Sequence, residues 1–375
     1  MVSEPGVVTD ARDAAFGEGP DNETVRRAIA EQLRDTVPPG AAGPVLGVRT
    51  GAIQCHVFSI VFPAWVSGRD GTRALFVKIP KHDLRKREPR VFPITAEDRQ
   101  LAIGEFDSLK HLAANWLADD LEVSFVEPLR FLGFYNAIIT AYARGMDGCE
   151  QFRRWDLMRR IGDRASARRL RRVMFRFGQA LRRFHDRTSA PAEFDGRVLE
   201  GKLKRYVNGL REQRGDRPAL QAAEAIAERL STVRRPARTS STLKGIDIRN
   251  LLVGQRDRVT ILDPGRIKTT WPEADLARFL VTYRILWWGS PLFLTYMRPD
   301  RVAEASLLDG YSRAGCWDRE LFAFQMIKEM LKHWHTAHDS LSLQPWPGMV
   351  KRVLAAGWID RFYARQVLAE TTDEA

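Results

Sequence analysis

Cysteine is scarce in this chain, which has three in 375 residues, at Cys55, Cys149 and Cys316. The three lie far apart, none belongs to a Cys-x-x-Cys pair, and their number is odd. This pattern argues against both a disulfide framework and a cysteine zinc site. It is typical of proteins in a reducing compartment, so we expect a cytoplasmic location.

The sequence also lacks the patterns of a secretory signal and of a membrane-spanning helix. Its first residues contain no basic stretch followed by an apolar run, and residues 1–20 predict a disordered tail instead. The most apolar stretch, residues 279–297, contains Arg284 and is broken at Gly289, so neither piece reaches the roughly 20 residues that a spanning helix needs. We therefore expect no membrane-spanning segment.

Positive charge, by contrast, is abundant. Lys and Arg total 59 against 47 Asp and Glu, which gives a formal net charge of +12, while 44% hydrophobic and 10% aromatic content exclude a disordered polypeptide. A positive field favours an anionic partner, which is a nucleotide, a phosphorylated metabolite, a nucleic acid or a membrane surface. Composition alone does not choose among these classes.

Arginine is densest between residues 153 and 187. An apolar stripe with helical spacing runs through this region from Leu170 to Phe184, and the arginines fall largely on the other faces. We favour a helix that packs through its stripe and exposes a solvated basic face. The alternative is an anionic surface or lipid headgroup as partner, with a peripheral membrane location. No specific nucleic acid is expected, because no aromatic side chains interleave with the basic face for base stacking.

Two kinds of patterning divide the chain near residue 145. Before it, β-rich runs at residues 57–62 and 74–79 flank a Gly-containing turn and predict an antiparallel hairpin. After it, the periodicity is helical, apart from a second small hairpin predicted between Asn250 and Asp263. The predicted fold class is α+β, with a small antiparallel β lobe followed by a larger helical lobe.

Four polar residues occur in a distinctive chain order. Lys78 lies in the second strand of the first hairpin, and Glu105 lies in the next predicted helix. Asn250 opens Asn-Leu-Leu-Val, and Asp263 opens Asp-Pro-Gly 13 residues later. This ordered set resembles the aminoglycoside phosphotransferase and choline kinase branch of the protein-kinase-like superfamily.

The resemblance implies a bilobal protein-kinase-like fold with the nucleotide between its lobes. We expect an N-terminal tail and helix at 1–44, a nucleotide-binding N-lobe at 45–145, and a helical C-lobe at 146–375 that binds metal and substrate. The implied reaction transfers the γ-phosphate of ATP to a hydroxyl of a small molecule. Aminoglycosides, sugars, amino alcohols and saccharide-linked lipids all remain open, and a helical insertion at 190–238 is expected to shape the choice.

The same resemblance assigns roles to individual residues. Lys78, held by Glu105, is implied to pair with the ATP phosphates, and Asn250 and Asp263 are implied to hold Mg²⁺ through oxygen ligands. Gly51, in the turn after the first strand, is a candidate for backbone contact with a phosphate. For Gly51, an ordinary turn at the end of a strand is an equally good interpretation.

One position departs from the family pattern. In this branch, an aspartate five residues before the metal asparagine is the catalytic base, and that position here is Gly245. Asp247, three residues before Asn250, is the catalytic candidate in its place. Either Asp247 has taken over an orienting role, or the protein is a nucleotide-binding pseudokinase with a regulatory or scaffold role. A basic surface binder without a nucleotide is a third hypothesis. Asp275 is interpreted as a helix cap.

Overall fold

The computed structural model describes most of the chain, and residues 1–19, which make up nearly all of the expected tail, lie outside the described residues. These residues form two compact units, drawn in sequence from alternating segments. We call them the N-terminal unit (Met1–Lys110 and Glu127–Tyr142) and the C-terminal unit (His111–Val126 and Ala143–Ala375). The described ranges are 20–35, 44–56, 58–82, 90–116, 122–287, 299–313, 317–342 and 349–372.

Helices and strands alternate in the first half of the chain, and helices dominate the second half. The helices are α1 (Asn22–Arg34), α2 (Ala96–Asn115), α3 (Gly148–Arg160), α4 (Arg164–Arg187), α5 (Gly196–Arg214), α6 (Pro218–Leu230), α7 (Glu273–Arg284), α8 (Arg301–Ser312), α9 (Arg319–Ser342) and α10 (Met349–Thr372). The strands are β1 (Gly47–Thr50), β2 (Gln54–His56), β3 (Ser59–Gly68), β4 (Gly71–Pro80), β5 (Val123–Phe125), β6 (Pro128–Leu132), β7 (Ala137–Ala141), β8 (Met146–Asp147), β9 (Ala190–Asp195), β10 (Arg234–Leu243), β11 (Leu251–Val253), β12 (Val259–Ile261) and β13 (Ile267–Thr270).

The N-terminal unit contains a six-stranded antiparallel sheet. Its strand order is β1-β3-β4-β7-β6, with β2 paired to β3. The first predicted hairpin is confirmed, because β3 and β4 pair along their length and meet at Gly68 and Gly71. One face of the sheet carries the core of this unit. Helix α1 adds its apolar face to that core through Val25, Ile29 and Leu33.

The core of the C-terminal unit is built around α4. The predicted apolar stripe from Leu170 to Phe184 is buried along this helix. Helix α8 packs closely on α4, because each contributes a glycine at the contact. A Cβ atom on Gly178 would lie 2.2 Å from the carbonyl oxygen of Leu307, and one on Gly310 would lie 2.1 Å from that of Phe175.

Two smaller sheets of the C-terminal unit position the loop that follows β10. The second predicted hairpin is confirmed as β11 and β12, within a sheet ordered β5-β12-β11-β8. Strand β10 lies between β13 and β9 in the other sheet. The insertion predicted to be helical is therefore only partly so, because it begins and ends in paired strands. The polar sequence Arg-Arg-Pro-Ala-Arg of β10 carries no apolar alternation that would have indicated a strand.

Within the described ranges, none of the helices combines the length and the apolar character needed to cross a lipid bilayer.

Candidate active site

A buried ion pair joins Lys78 to Glu105 in the N-terminal unit. Lys78 lies on β4 between partners on β3 and β7, so its backbone is fixed on both sides. Because side chains alternate along a strand, its buried neighbours Val77 and Ile79 point into the core and Lys78 points to the opposite face. Its Nζ atom lies 2.7 Å from Oε1 of Glu105 on α2, and the two side chains are 17% and 7% exposed. The pairing expected from the sequence is therefore present.

The second pair of predicted residues meets in the C-terminal unit. Asn250 ends a short 3-10 helix, Ile248–Asn250, and its side-chain Nδ2 donates to the carbonyl oxygen of Gly245 at 2.8 Å. The same Nδ2 lies 3.5 Å from the carbonyl oxygen of Asp263. Oδ1 of Asp263 accepts from the amide of Gly265 at 2.8 Å. Asn250 and Asp263 are thus brought to the same place by the β11–β12 hairpin.

These two residues suit a magnesium ion. Since the amide nitrogen of Asn250 is engaged by a carbonyl, its oxygen Oδ1 is the atom left to face a ligand. An amide oxygen and a carboxylate are the hard oxygen donors that Mg²⁺ takes, with phosphates and waters completing its shell. No group of three or more His, Cys, Asp or Glu side chains placed to hold a metal occurs in the part of the chain that the structure describes. Phosphate oxygens would therefore have to supply further ligands.

Gly245 has no room for a side chain. A Cβ atom built on it would lie 2.3 Å from the carbonyl oxygen of Asp263 and 2.7 Å from the amide nitrogen of Gly265. Its own amide donates to the carbonyl of Pro264 at 2.8 Å. Contacts this short with backbone atoms cannot be relieved by rotating a side chain. The position that lacks the family's aspartate is therefore the point at which the loop packs directly against the backbone of Asp263-Pro264-Gly265.

Asp247 is held by its neighbours in the loop. Its side chain caps the 3-10 helix by accepting from the amide of Arg249 at 2.9 Å. The guanidinium of Arg249 also donates to both carboxylate oxygens, from Nε at 2.9 and 3.1 Å. Asp247 is 9% exposed, whereas the Arg249 side chain is 62% exposed. Both oxygens of the catalytic candidate are therefore already accepting hydrogen bonds.

Asp275 and Arg278 on α7 fix the start of the loop, a role that the sequence did not reveal. Oδ2 of Asp275 accepts from the amide of Leu243 at 2.8 Å and contacts Nε2 of His185 at 3.2 Å. Nη1 of Arg278 donates to the carbonyl of Leu243 at 2.8 Å. The interpretation of Asp275 as a helix cap is wrong, since Pro272 occupies that position. The signal in the sequence was a carboxylate in the first turn of a helix that is otherwise largely apolar.

Gly51 lies in a packed turn after β1. Its amide donates to the carbonyl of Pro63 at 2.8 Å, and its carbonyl accepts from Arg26 on α1 at 3.1 Å. A Cβ atom at this position would lie 2.7 Å from Cγ of Pro63. Packing within the N-terminal unit accounts for the glycine, and a contact with phosphate stays a prediction.

Much of the arginine-rich region is neutralised inside the C-terminal unit. Acidic side chains from several elements accept hydrogen bonds from its arginines. Part of its positive charge is therefore balanced by ion pairs within the protein. A partner with an anionic surface stays a prediction. The pairs are Arg159 and Arg160 with Asp156 (2.7 and 3.0 Å), Arg171 with Asp300 (3.1 Å), Arg176 with Glu122 (2.5 Å) and Arg182 with Asp186 (2.9 Å).

A cavity of about 920 Å³ lies in the C-terminal unit near the start of α7. Its lining includes Glu273 together with Arg235, Arg238 and Trp317. Glu273 is 4% exposed and accepts from the amide of Asp318 at 3.2 Å. Burial raises the pKa of Glu273 to about 7. None of the loop residues from 244 to 250 lines this cavity.

Comparison with known proteins gives a family. The sequence profile of a family described as "Phosphotransferase enzyme family" matches residues 69–324. This segment contains Lys78, Glu105, Asn250 and Asp263. Among curated protein sequences, no significant match was found.

Solved structures that resemble this chain include a phosphotransferase and a kinase. The crystal structure of a spectinomycin phosphotransferase in complex with ADP and spectinomycin is 12% identical, with 92% of this chain and 98% of that chain covered and a TM-score of 0.51. A choline kinase from Streptococcus pneumoniae is 12% identical, with 94% and 98% covered and a TM-score of 0.49. At this identity the first likeness establishes the fold. The α+β, protein-kinase-like fold expected from the sequence is confirmed.

Proposed function

The chain belongs to the phosphotransferase enzyme family, and from that premise we propose that it transfers the γ-phosphoryl group of ATP to a hydroxyl group of a small molecule. In this reaction the bond between the γ-phosphorus and the bridging oxygen breaks, and a bond from the same phosphorus to the acceptor oxygen forms. ADP leaves with the bridging oxygen, and the hydroxyl proton passes to solvent or to a carboxylate. Such transfer depends mainly on positioning and on neutralising phosphate charge.

The buried pair of Lys78 and Glu105 is the observation that carries the proposal. A lysine that is 17% exposed and held at 2.7 Å by a carboxylate is a fixed point charge, which is what binding a phosphate requires. We assign to Lys78 the contact with the nucleotide phosphates and to Glu105 the positioning of its ammonium group.

Asn250 and Asp263 are assigned to magnesium. When bound, Mg²⁺ would neutralise part of the charge on the phosphates. The chain's own contribution is to hold the two ligands together, through the hydrogen bonds of Asn250 to Gly245 and of Asp263 to Gly265. Asp275 and Arg278 support the same loop by binding both backbone groups of Leu243.

Asp247 is assigned an orienting role. Because both of its oxygens accept from Arg249, its carboxylate holds the loop in shape and is poorly placed to accept a proton. Loss of a base slows phosphoryl transfer without abolishing it, since positioning and charge neutralisation remain.

Two measurements on the full chain test the proposal. Isothermal titration with ADP and Mg²⁺ is expected to show binding that Asp263→Ala weakens. Turnover of ATP against a panel of hydroxylated small molecules is expected to exceed the rate with water alone. Absence of ADP binding would contradict the nucleotide role. Binding without turnover on any acceptor would support the pseudokinase alternative.

A further inference from the structure

Four basic side chains of the C-terminal unit gather beside the loop that follows β10. Lys244 lies in the loop, Arg266 precedes β13, Lys268 lies on β13, and Lys202 lies on α5. All four are exposed to solvent. Among the residues that the structure describes, no carboxylate forms an ion pair with any of them. We call these four residues the basic cluster.

Strand pairing places the basic cluster next to the proposed metal ligands. Lys268 on β13 lies directly opposite Thr242 on β10, two residues before Lys244. Gly245 follows Lys244, and its amide donates to the carbonyl of Pro264. Lys244 and Arg266 therefore flank the contact between the loop and the segment Asp263-Pro264-Gly265.

The charges of the basic cluster act on one another. Partial burial lowers the pKa of Lys244 even though the residue stays accessible, and neighbouring cations that include Lys268 and Arg266 lower it further. Partial burial also lowers the pKa of Lys202, and Lys268 again adds to the effect. The strand register agrees with this, because the pairing of Leu243 with Ile267 brings Lys244, Arg266 and Lys268 to the same end of β10 and β13.

Two buried acids near the cluster are engaged by other groups: Asp275 on α7, which is fully buried and accepts from the amide of Leu243, and Glu329 on α9, which is 1% exposed. The oxygens of Glu329 are shared by Lys328 at 2.9 Å, Lys332 at 3.1 Å and Arg278 at 3.5 Å, and Arg278 also lies 3.9 Å from Asp275. Three cations thus face two carboxylates, so these acids leave no negative charge over for the basic cluster.

A group of like charges held together on the surface repels itself, and a bound anion relieves that repulsion. Perturbed lysines of this kind concentrate at functional sites. Ammonium and guanidinium groups form their strongest hydrogen bonds with phosphate and carboxylate oxygens. A cationic acceptor, such as a polyamine, would be repelled by the same cluster.

We propose that the basic cluster binds a phosphate or carboxylate group of the acceptor, so that the substrate of this enzyme is an anionic, hydroxylated small molecule. This inference rests on the proposed phosphotransfer, because the cluster adjoins the loop assigned to that reaction. Of the substrate classes left open by the sequence, acidic or phosphorylated sugars fit the cluster, whereas aminoglycosides and amino alcohols do not.

The first test measures anion binding without turnover. Thermal unfolding of the full chain is followed in sodium phosphate and in sodium chloride of equal ionic strength. Phosphate is expected to raise the Tm of the wild type and to lose this effect in the double variant Lys202→Gln and Lys268→Gln. Lys204→Gln is the matched control, because Lys204 lies on the same helix as Lys202 but pairs with Glu200 at 2.8 Å. It should retain the full shift.

The second test measures acceptor preference. Initial rates are compared for a neutral sugar, its phosphate ester and an amino sugar. The wild type is expected to show the lowest KM for the phosphate ester, and the double variant should raise that KM at least about tenfold while leaving the KM of the neutral sugar unchanged.

Three results would overturn the inference. One is the absence of any phosphate effect on the wild-type Tm, and another is an equal effect in the double variant. The third is a phosphate effect that depends on the cluster without any preference for the anionic acceptor, because the anion would then be an effector. Loss of ADP binding and of turnover with every acceptor would instead contradict the proposed function, and the phosphate-dependent Tm shift reports on the cluster independently of it.

Discussion

Gly245 lies so close to Asp263 that a Cβ atom on the glycine would be 2.3 Å from the aspartate's carbonyl oxygen. We therefore predict that Gly245→Asp, which restores a carboxylate at the family's catalytic position, lowers the Tm and does not raise turnover. The clash is with backbone, so the loop must shift, at a cost of about 1–3 kcal/mol. Thermal unfolding and ATP turnover of Gly245→Asp and Gly245→Ala measure both effects.

Gly201→Ala provides the control for this prediction. Gly201 lies on an exposed position of α5, with no atom within 4 Å of an added Cβ. Alanine there should leave stability unchanged or raise it by up to about 1 kcal/mol, since glycine weakens a helix interior. A Gly245→Asp protein with wild-type Tm and increased turnover would show that the tight contact does not explain the missing base.

Lys78→Met is predicted to weaken ADP binding and to destabilise the N-terminal unit. The substitution leaves Glu105, 6% exposed, without its cationic partner, and breaking a well-buried pair costs roughly 3 kcal/mol. Titration calorimetry and urea unfolding measure the two losses. Lys110→Met is the control, because Lys110 pairs with Asp107 at 2.7 Å while both side chains are more than half exposed. Equal ADP affinity in Lys78→Met and the wild type would remove Lys78 from the site.

Asp247→Asn is predicted to lower kcat by roughly tenfold, less than the hundredfold or more lost when a general base is removed. Asparagine keeps the cap on the 3-10 helix but loses the ion pair with Arg249. Arg249→Gln should cause a similar loss, because it breaks the same contact. A loss of more than about a thousandfold in Asp247→Asn alone, with a changed pH–rate profile, would identify Asp247 as the base.

Glu273 is predicted to make stability depend on pH. Its folded-state pKa of about 7 lies above its usual value of 4.5, so the folded protein holds this proton more tightly than the unfolded chain does. The stabilisation that the protonated carboxyl contributes is fully present below about pH 4.5, and it is lost as the pH rises through 7. Glu273→Gln imitates that form, so its stability relative to the wild type should grow between pH 5 and pH 8, by up to about 3 kcal/mol.

Chemical denaturation at several pH values checks this prediction. Glu320→Gln serves as the control, because Glu320 is 55% exposed in its pair with Arg235. Its stability difference from the wild type should stay nearly constant. A constant difference for Glu273→Gln as well would mean that this carboxyl titrates normally in the folded protein.

Local patterns were sufficient for most of the N-terminal unit. The alternation of Leu75, Val77 and Ile79 fixed which face of β4 is buried, and Lys78 followed on the other face. The apolar stripe on α4 could also be predicted, because apolar residues at helical spacing indicate which face of a single helix is buried. Strand β10 was not predicted, because its own side chains show no strand pattern. It forms a strand through its pairing with β9 and β13, which come from distant parts of the chain.

The sequence by itself therefore determined the fold class, the order of Lys78, Glu105, Asn250 and Asp263, and the absence of an aspartate at residue 245. Only the tertiary structure decided why that position holds glycine and where the surplus lysines gather. The physical reason is that periodicity reports on one element at a time, whereas the contact of Gly245 with Asp263 and the pairing that brings Lys268 beside the strand before Lys244 arise where distant segments pack together.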